Sequence, residues 1–206
     1  MHLLSLTATR ALRRRGGEDP VPALLAALAP LPLALPAERT AGWHVLALAP
    51  RSEIALEVLL RTLETGGFAV GLGIGAVPAP LPASVRELTG GAASAAAEAL
   101  RAAEVTSTVP VAVRAADPRQ AGTVEDAEAV LRLIGWMVRT RNRGQWRAVR
   151  ALREDPTATQ AQLAERLGVT QQTVSRAVQT GGWREESAAH PLAERLLSMI
   201  DLTSER

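Results

Sequence analysis

The sequence predicts an α+β domain followed by an all-α domain, and three observations support this division. Up to Val113, short strand-like apolar runs alternate with runs whose apolar residues recur at helical spacing. From Thr123 onward the strand-like runs stop and only helical spacing remains. Between these parts, residues 115–122 are polar and contain a proline and a glycine. We therefore expect a first domain at residues 1–118 and a second at residues 119–206.

The first domain alternates between predicted strands and predicted helices. Leu4 and Leu6 share one face of the first strand, and a polar turn at residues 39–42 joins the second and third strands as a hairpin. Pro30 stops the first helix and Gly66 ends the second. The predicted strands are residues 2–9, 31–38, 43–49, 68–77 and 109–113, and the predicted helices are residues 20–28, 52–65 and 92–104.

The resulting order is βαββαβ, the order of ferredoxin-like domains, with the last helix placed before an additional final strand. We expect two helices to cover one face of an antiparallel sheet, which is the usual α+β solution. Apolar residues make up 47% of the chain, so a packed core is expected. Because aromatic residues make up only 2%, Ala, Leu and Val must supply most of that core.

Composition excludes several classes of protein. Without cysteine, the chain has neither a disulfide framework nor a thiolate nucleophile or metal ligand. The first twenty residues place an apolar stretch before the arginines, which is the wrong order for a signal peptide, and no apolar run is long enough for a membrane helix. We therefore expect a soluble, cytoplasmic protein. The net charge of +2 by itself argues only weakly for a nucleic-acid partner.

The second domain is predicted to begin with a helix that Thr123 caps and that continues to about Arg141, and a second helix follows at residues 145–154. All 23 basic residues of the chain are arginines, and seven of them form a run without an intervening carboxylate. Two interpretations stay open for this arginine run: a phosphate-facing surface or a solvated helix face. Its position next to the motif described below favours the first. The arginine run comprises Arg132, Arg139, Arg141, Arg143, Arg147, Arg150 and Arg153.

Residues 159–182 have the pattern of a helix-turn-helix. Thr159 and Gln162 form a predicted capping box at the start of the first helix. Gly168 stands where the chain must turn sharply, and Thr170 caps the second helix. Small Ala164 allows the two helices to approach each other closely. Leu163, Val169 and Val174 are expected to fill the angle between them, with Ala177 or Val178 as a further inward position.

The outward face of the second helix is rich in Gln, Ser, Thr and Arg, whose side chains hydrogen-bond to base edges and phosphates. The alternative is an ordinary helical hairpin with a polar face. The combination of caps, glycine turn, small residue and Gln/Arg face favours double-stranded DNA. The candidate DNA-binding residues are Thr170, Gln171, Gln172, Thr173, Ser175, Arg176 and Gln179, with Arg143 and Arg147 from the arginine run.

After the motif, a charged turn at residues 184–189 offers room for a minimal wing, so the second domain is predicted to be all-α, with or without a wing. A terminal helix from Pro191 presents an apolar stripe that includes Leu192, Leu196, Met199 and Ile200. Two interpretations of this stripe are equally supported: it packs back onto its own domain, or it forms the seam of a homodimer.

The layout resembles the SatD family of bacterial proteins. The matching features are a first strand ending in Thr9-Arg10, the segments AVGLGIG (69–75) and GGAASAAAEALRAAE (90–104), and AQLAERLGVTQQTVSRAVQTGGW (161–183). The resemblance implies an N-terminal domain related in fold to nucleotidyl cyclases and a C-terminal helix-turn-helix. In that family an Asp on the first strand and an Asp-Glu pair after the hairpin are usual, whereas Ser5 and residues 46–48 stand at those places here.

Because two-metal phosphoryl transfer needs acidic ligands, we expect a non-catalytic N-terminal domain without metal or cofactor. The three histidines lack metal-ligand spacing, and Gly71–Gly75 is not a dinucleotide-binding fingerprint. The sequence thus predicts a transcription regulator whose N-terminal domain dimerises or senses an unidentified ligand. A nucleotide-binding or nucleotide-processing enzyme is the alternative, and a protein-interaction adaptor is a third hypothesis.

Overall fold

A computed structural model describes residues 1–16 and 18–204, which form five strands and nine α-helices. The strands are β1 (His2–Ala8), β2 (Leu35–Arg39), β3 (His44–Ala49), β4 (Phe68–Ile74) and β5 (Val111–Ala115). The helices are α1 (Arg10–Arg15), α2 (Val21–Leu28), α3 (Ser52–Thr65), α4 (Gly91–Glu104), α5 (Ala121–Thr140), α6 (Arg143–Glu154), α7 (Gln160–Leu167), α8 (Gln171–Thr180) and α9 (Trp183–Ser204). The predicted α+β architecture with a helical C-terminal part is confirmed.

The five strands form one sheet in the order β2-β3-β1-β4-β5. β1 is antiparallel to both of its neighbours, β2 and β3 form the predicted hairpin, and β5 is parallel to β4. β2 begins at Leu35, four residues later than predicted, because Leu31 and Leu33 close tight turns through their backbone amides. Helix α1 was not predicted; Thr9 caps it by accepting a hydrogen bond from the Leu12 amide.

Helices α2 and α3 lie together on one face of the sheet, as expected, but α4 covers the other face, which was not predicted. Alternate residues of β1 divide between the faces: Leu4 and Leu6 join the core under α2 and α3, whereas Leu3 packs on the opposite side with α4. Apolar character on both faces of a strand requires cover on both. The domain is therefore a three-layer α/β/α sandwich around the sheet.

The close approach of α4 to β4 depends on two glycines. A Cβ atom at Gly71 would lie 2.8 Å from the Ala99 carbonyl carbon, and one at Gly73 would overlap the backbone of Ala96. α4 is alanine-rich on the buried side, so backbone packs almost directly on backbone.

Two helical crossovers join parallel strands of the sheet: α3 connects β3 to β4, and α4 connects β4 to β5. Both crossovers proceed toward the β5 edge, but α3 and α4 lie on opposite faces of the sheet. The two crossovers therefore have opposite hands, and one of them departs from the right-handed rule.

The second half of the chain divides between two cores. Buried residues of α5 and α9, among them Leu131, Ile134 and Leu197, belong to the same core as the sheet and α3. Helices α6, α7 and α8 enclose a separate, smaller core that includes Ala148, Leu163 and Val174. The domain boundary at residue 118 stays a prediction, although α5 and α9, which follow it, pack against the sheet domain.

The charged segment after α8 is helical, so the possible wing is absent from the described residues. α9 starts at Trp183 and continues through Pro191 to its end. Proline in a helix interior removes one backbone hydrogen bond and costs about 3 kcal/mol. Burial of the apolar residues Ala193, Leu197 and Ile200 on the same helix offsets that cost. Over the described residues, the helices lack the combination of length and apolar character that crossing a membrane requires.

Candidate nucleic-acid interface

Capping interactions fix the start and end of α7 as predicted. The Thr159 hydroxyl accepts a hydrogen bond from the Gln162 amide at 3.3 Å, and the Gln162 side chain accepts one from the Thr159 amide at 2.8 Å. Gly168 ends the helix with φ of 65° in the left-handed conformation, where a residue with a Cβ is strained. The predicted capping box and glycine turn are both confirmed.

The angle between α7 and α8 is filled by small aliphatic side chains. Leu163, Ala164, Val174 and Val178 are buried together against α6. Val169 is 36% exposed, so it does not fill the angle as predicted. The Val169 amide hydrogen-bonds to the Ala164 carbonyl at 3.0 Å, which closes the turn after α7. Helices α6, α7 and α8 therefore form a three-helix unit around one small core.

Helix α8 presents a row of polar side chains to solvent. Gln171, Gln172, Arg176 and Gln179 are exposed, and in the described part of the chain their side chains have no hydrogen-bond or ion-pair partner. Ser175 is half-buried beside Gln179. These free donors and acceptors are available to base edges or phosphates.

Two of the predicted DNA-contact residues, Thr170 and Thr173, form hydrogen bonds that cap α8. The Thr170 hydroxyl accepts a hydrogen bond from the Thr173 amide at 3.2 Å and lies 2.8 Å from the Thr173 hydroxyl. Both side chains are exposed at the start of α8, so their remaining hydrogen-bonding capacity points outward. Their structural role is capping, and DNA contact by either residue stays a prediction.

Six of the seven arginines in the run bind groups within the protein, so the run as a whole does not form one phosphate-facing surface. Arg132 pairs with Glu128, Arg139 donates to the Thr108 carbonyl, and Arg141 is buried against Glu186. Arg150 and Arg153 both pair with Glu64 of α3. The run breaks between α5 and α6, so its side chains diverge and several meet carboxylates that are distant in sequence.

The two arginines that were singled out as phosphate contacts differ from each other. Arg143 is exposed at the start of α6, and within the described residues it has no hydrogen-bond or ion-pair partner. Arg147 is exposed but donates to the Leu167 carbonyl at 2.8 Å, which satisfies an acceptor at the end of α7. Gln145, two residues after Arg143, donates to the Thr180 hydroxyl at 3.0 Å, which places the first turn of α6 beside the C-terminal end of α8.

A buried carboxylate that the sequence did not reveal holds the helix-turn-helix against the rest of the protein. Glu186 of α9 is fully buried and pairs with Arg141, with Arg153 at 2.8 Å and with His190 at 3.2 Å. Burial raises the pKa of Glu186, but the hydrogen bond with His190 and the charges of Arg141 and Arg153 outweigh burial and hold that pKa below its ordinary value. Only the four-residue spacing of Glu186 and His190 was visible in the sequence.

Arg153 links this carboxylate to the sheet domain. One guanidinium nitrogen binds Glu186, another binds Glu64 at 3.2 Å, and the group stacks on the rings of Trp146 and Trp183 at 5.7 and 5.1 Å. Arg153 therefore joins α3, α6 and α9 at one point.

Ser5, which stands where the SatD family usually has an Asp, belongs to a small polar network on the sheet. Ser5 on β1 lies 2.7 Å from Nε2 of His44, and Nδ1 of His44 hydrogen-bonds to the Thr40 hydroxyl. Burial lowers the pKa of His44; the charge of Glu104 opposes this shift and that of Arg13 reinforces it. Ser5 is 3% exposed, whereas His44 and Thr40 are half-buried, so solvent reaches only part of this network.

Acidification below neutral pH should reduce the stability of the protein. Burial also lowers the pKa of His2, where the charge of Asp201 opposes the shift. For both histidines the unfolded chain binds the proton more tightly, so their contribution to stability is complete above about pH 6.5 and is lost as pH falls through their folded pKa values. NMR titration of the histidine rings and unfolding measured from pH 8 to 5 would check this, and titration of His44 above 6.5 would contradict it.

Comparison with known protein families gives a match to part of the C-terminal helical region. Residues 140–180, which comprise α6, α7 and α8, match the MarR family. The match covers less than half of the chain and supports a helix-turn-helix DNA-binding unit of the kind found in transcription regulators. The comparisons found no matching curated protein and no matching solved structure. The SatD resemblance therefore stays a prediction.

Proposed function

We propose that this protein is a DNA-binding transcription regulator that places α8 in the major groove of double-stranded DNA. The exposed row of Gln171, Gln172, Arg176 and Gln179 carries the proposal, because these side chains are unpartnered and match the donor and acceptor pattern of base edges. Arg143 beside the C-terminal end of α8 is proposed to contact phosphate, with Arg147, Thr170, Thr173 and Ser175 as further contacts.

The sheet domain is proposed to be a ferredoxin-like, cyclase-related domain without catalysis. The strand order β2-β3-β1-β4, with β1 antiparallel to both neighbours, supports the fold. Ser5 and residues 46–48 in place of carboxylates support the lack of phosphoryl transfer. This domain is proposed to sense a ligand, and an open cavity of about 740 Å³ between α3, α6 and α9 supports that role.

A homodimer is proposed because regulators with one helix-turn-helix per chain commonly read two half-sites. Exposed apolar residues on the two helices that join the domains support it: Leu133 and Trp136 on α5 are 66% and 55% exposed, and Leu192 on α9 is 41% exposed. Sedimentation of the full chain with and without duplex would measure the oligomeric state.

Selection of genomic fragments by the purified full chain, followed by sequencing, tests the proposed function. Enrichment of one sequence motif supports it, and retention of fragments without any sequence preference contradicts it. If the protein bound no duplex, the adaptor hypothesis would replace the regulator.

Arg176→Ala should weaken binding to the selected duplex by about 1–3 kcal/mol and relax sequence preference at one base pair. Arg176 is exposed in the middle of α8 and forms no side-chain interaction with the described residues, so its loss leaves the fold intact. Fluorescence anisotropy against duplexes with single base-pair changes measures both effects. Arg195→Ala, an exposed change on α9, is the matched control. Unaltered affinity and preference in the Arg176 variant would mean that another face binds DNA.

A further inference from the structure

We infer that the sheet domain itself contributes a second phosphate-binding surface for the same DNA duplex, an inference that rests on the proposed function. The surface is an arginine patch formed by Arg10 and Arg14 of α1 and Arg139 of α5. Both α1 residues are exposed, and they lie four positions apart, on one side of the helix.

The helix α1 and the helix-turn-helix lie at the same end of the sheet. β1 runs toward that end, where Thr9 hydrogen-bonds to the Gly67 carbonyl at 2.8 Å just after α3. α3 brings Glu64 to the same end, and Glu64 pairs with Arg150 and Arg153 of α6. α1 follows β1 directly, so its arginines leave the sheet on the side toward the DNA-binding unit.

Arg139 makes the patch continuous with the end of α8. Arg10 and Arg139 line one cavity of about 220 Å³ between α1, α5 and the turn before β5. The next residue after Arg139, Thr140, lines another cavity together with Gln179 and Thr180 of α8. A duplex that receives α8 in its major groove therefore has its flanking backbone close to the patch.

The charges of the patch suit a phosphate backbone. Within the described residues, Arg10 and Arg14 have no hydrogen-bond or ion-pair partner, whereas the Thr108 carbonyl holds Arg139 at 2.7 Å. Arg13, between them in sequence, instead donates to the Thr7 hydroxyl at 2.6 Å. Glu104 is the carboxylate that lines the cavity beside Arg10 and Arg139, and it leaves the patch with a net positive charge. Free guanidinium groups bind phosphate and release counterions.

The salt dependence of binding by the full chain tests this inference. Log affinity falls with log salt by about 0.9 for each phosphate contact, so Arg10→Gln/Arg14→Gln should flatten the slope by about one to two units on the selected duplex and on a scrambled duplex alike. Arg10→Lys/Arg14→Lys keeps both charges and should retain the parent slope. Circular dichroism and Tm confirm that the variants are folded.

The matched control carries the same charge change at the opposite end of the sheet domain, in Arg51→Gln/Arg119→Gln; these side chains are 71% and 77% exposed. Its slope should equal that of the parent. An unchanged slope for Arg10→Gln/Arg14→Gln, with intact binding by the parent, overturns this inference and leaves the proposed function standing. Absence of duplex binding by the parent overturns both.

Discussion

Replacing Glu186 with alanine should lower the free energy of unfolding by about 3–5 kcal/mol. The carboxylate is fully buried and neutralises Arg141, whose side chain is 1% exposed. Its removal leaves a buried guanidinium without its counter-charge and also frees one end of Arg153. Urea unfolding followed by circular dichroism measures the loss.

Glu185→Ala is the matched control, because Glu185 is exposed on the same turn of α9 and has no ion-pair partner among the described residues. That variant should change stability by no more than about 0.5 kcal/mol. Glu186→Ala/Arg141→Met should recover part of the loss, since it removes the orphaned charge as well. A loss below about 1 kcal/mol in Glu186→Ala would show that the pair is not buried in solution.

Replacing Gly73 with alanine should destabilise the sheet domain by about 3 kcal/mol or more. The new Cβ would overlap the Ala96 backbone nitrogen and the Ala92 carbonyl oxygen, and backbone of a packed helix cannot move aside as a flexible side chain can. α4 must therefore shift away from β4 and lose contacts along its length. Thermal unfolding monitored by circular dichroism measures the effect.

Gly122→Ala provides the comparison for this substitution. Gly122 lies in the first turn of α5 with no atom within 4 Å of the position of a new Cβ, so alanine should be neutral or stabilise by up to about 1 kcal/mol. If Gly73→Ala were as stable as the parent, α4 would not lie against β4 at this distance, and the placement of α4 on the second face would be wrong.

The two substitutions affect different parts of the protein and so have different expected effects on function. Glu186 connects the helix-turn-helix to α9, whereas Gly73 lies in the sheet on the side away from α9. We therefore expect Glu186→Ala to weaken DNA binding along with stability, through a loosened α6. Arg153 of α6 connects the two parts, since it pairs with Glu186 of α9 and with Glu64 of α3.

Local features of the chain were predictable because they depend on neighbours in sequence. The Thr159–Gln162 capping box, the Gly168 turn, the hairpin of β2 and β3 and most element bounds follow from short-range spacing. The exposed face of α8 follows from the same helical spacing, since Val174 and Val178 define the opposite, buried side.

The apolar stripe of the terminal helix shows how far spacing alone leads. Ile200 is buried against the sheet core, whereas Leu192 and Met199 are exposed, so packing within the chain uses only part of the predicted stripe. Helical periodicity identifies which residues share a side of a helix but not how much of that side its neighbours cover.

The sequence by itself determined the α+β class with its helical C-terminal part, the helix-turn-helix and its polar outward face, because each depends on hydrophobic periodicity and on caps formed within a few residues. Only the tertiary structure decided which groups the arginine run binds, where α4 packs, and that the described part of the chain has no wing. Those features depend on partners far away in sequence: Arg150 meets Glu64, Gly73 meets Ala96, and Arg141 meets Glu186. Pairing between distant residues requires the fold to be formed first, and no spacing along the chain encodes it.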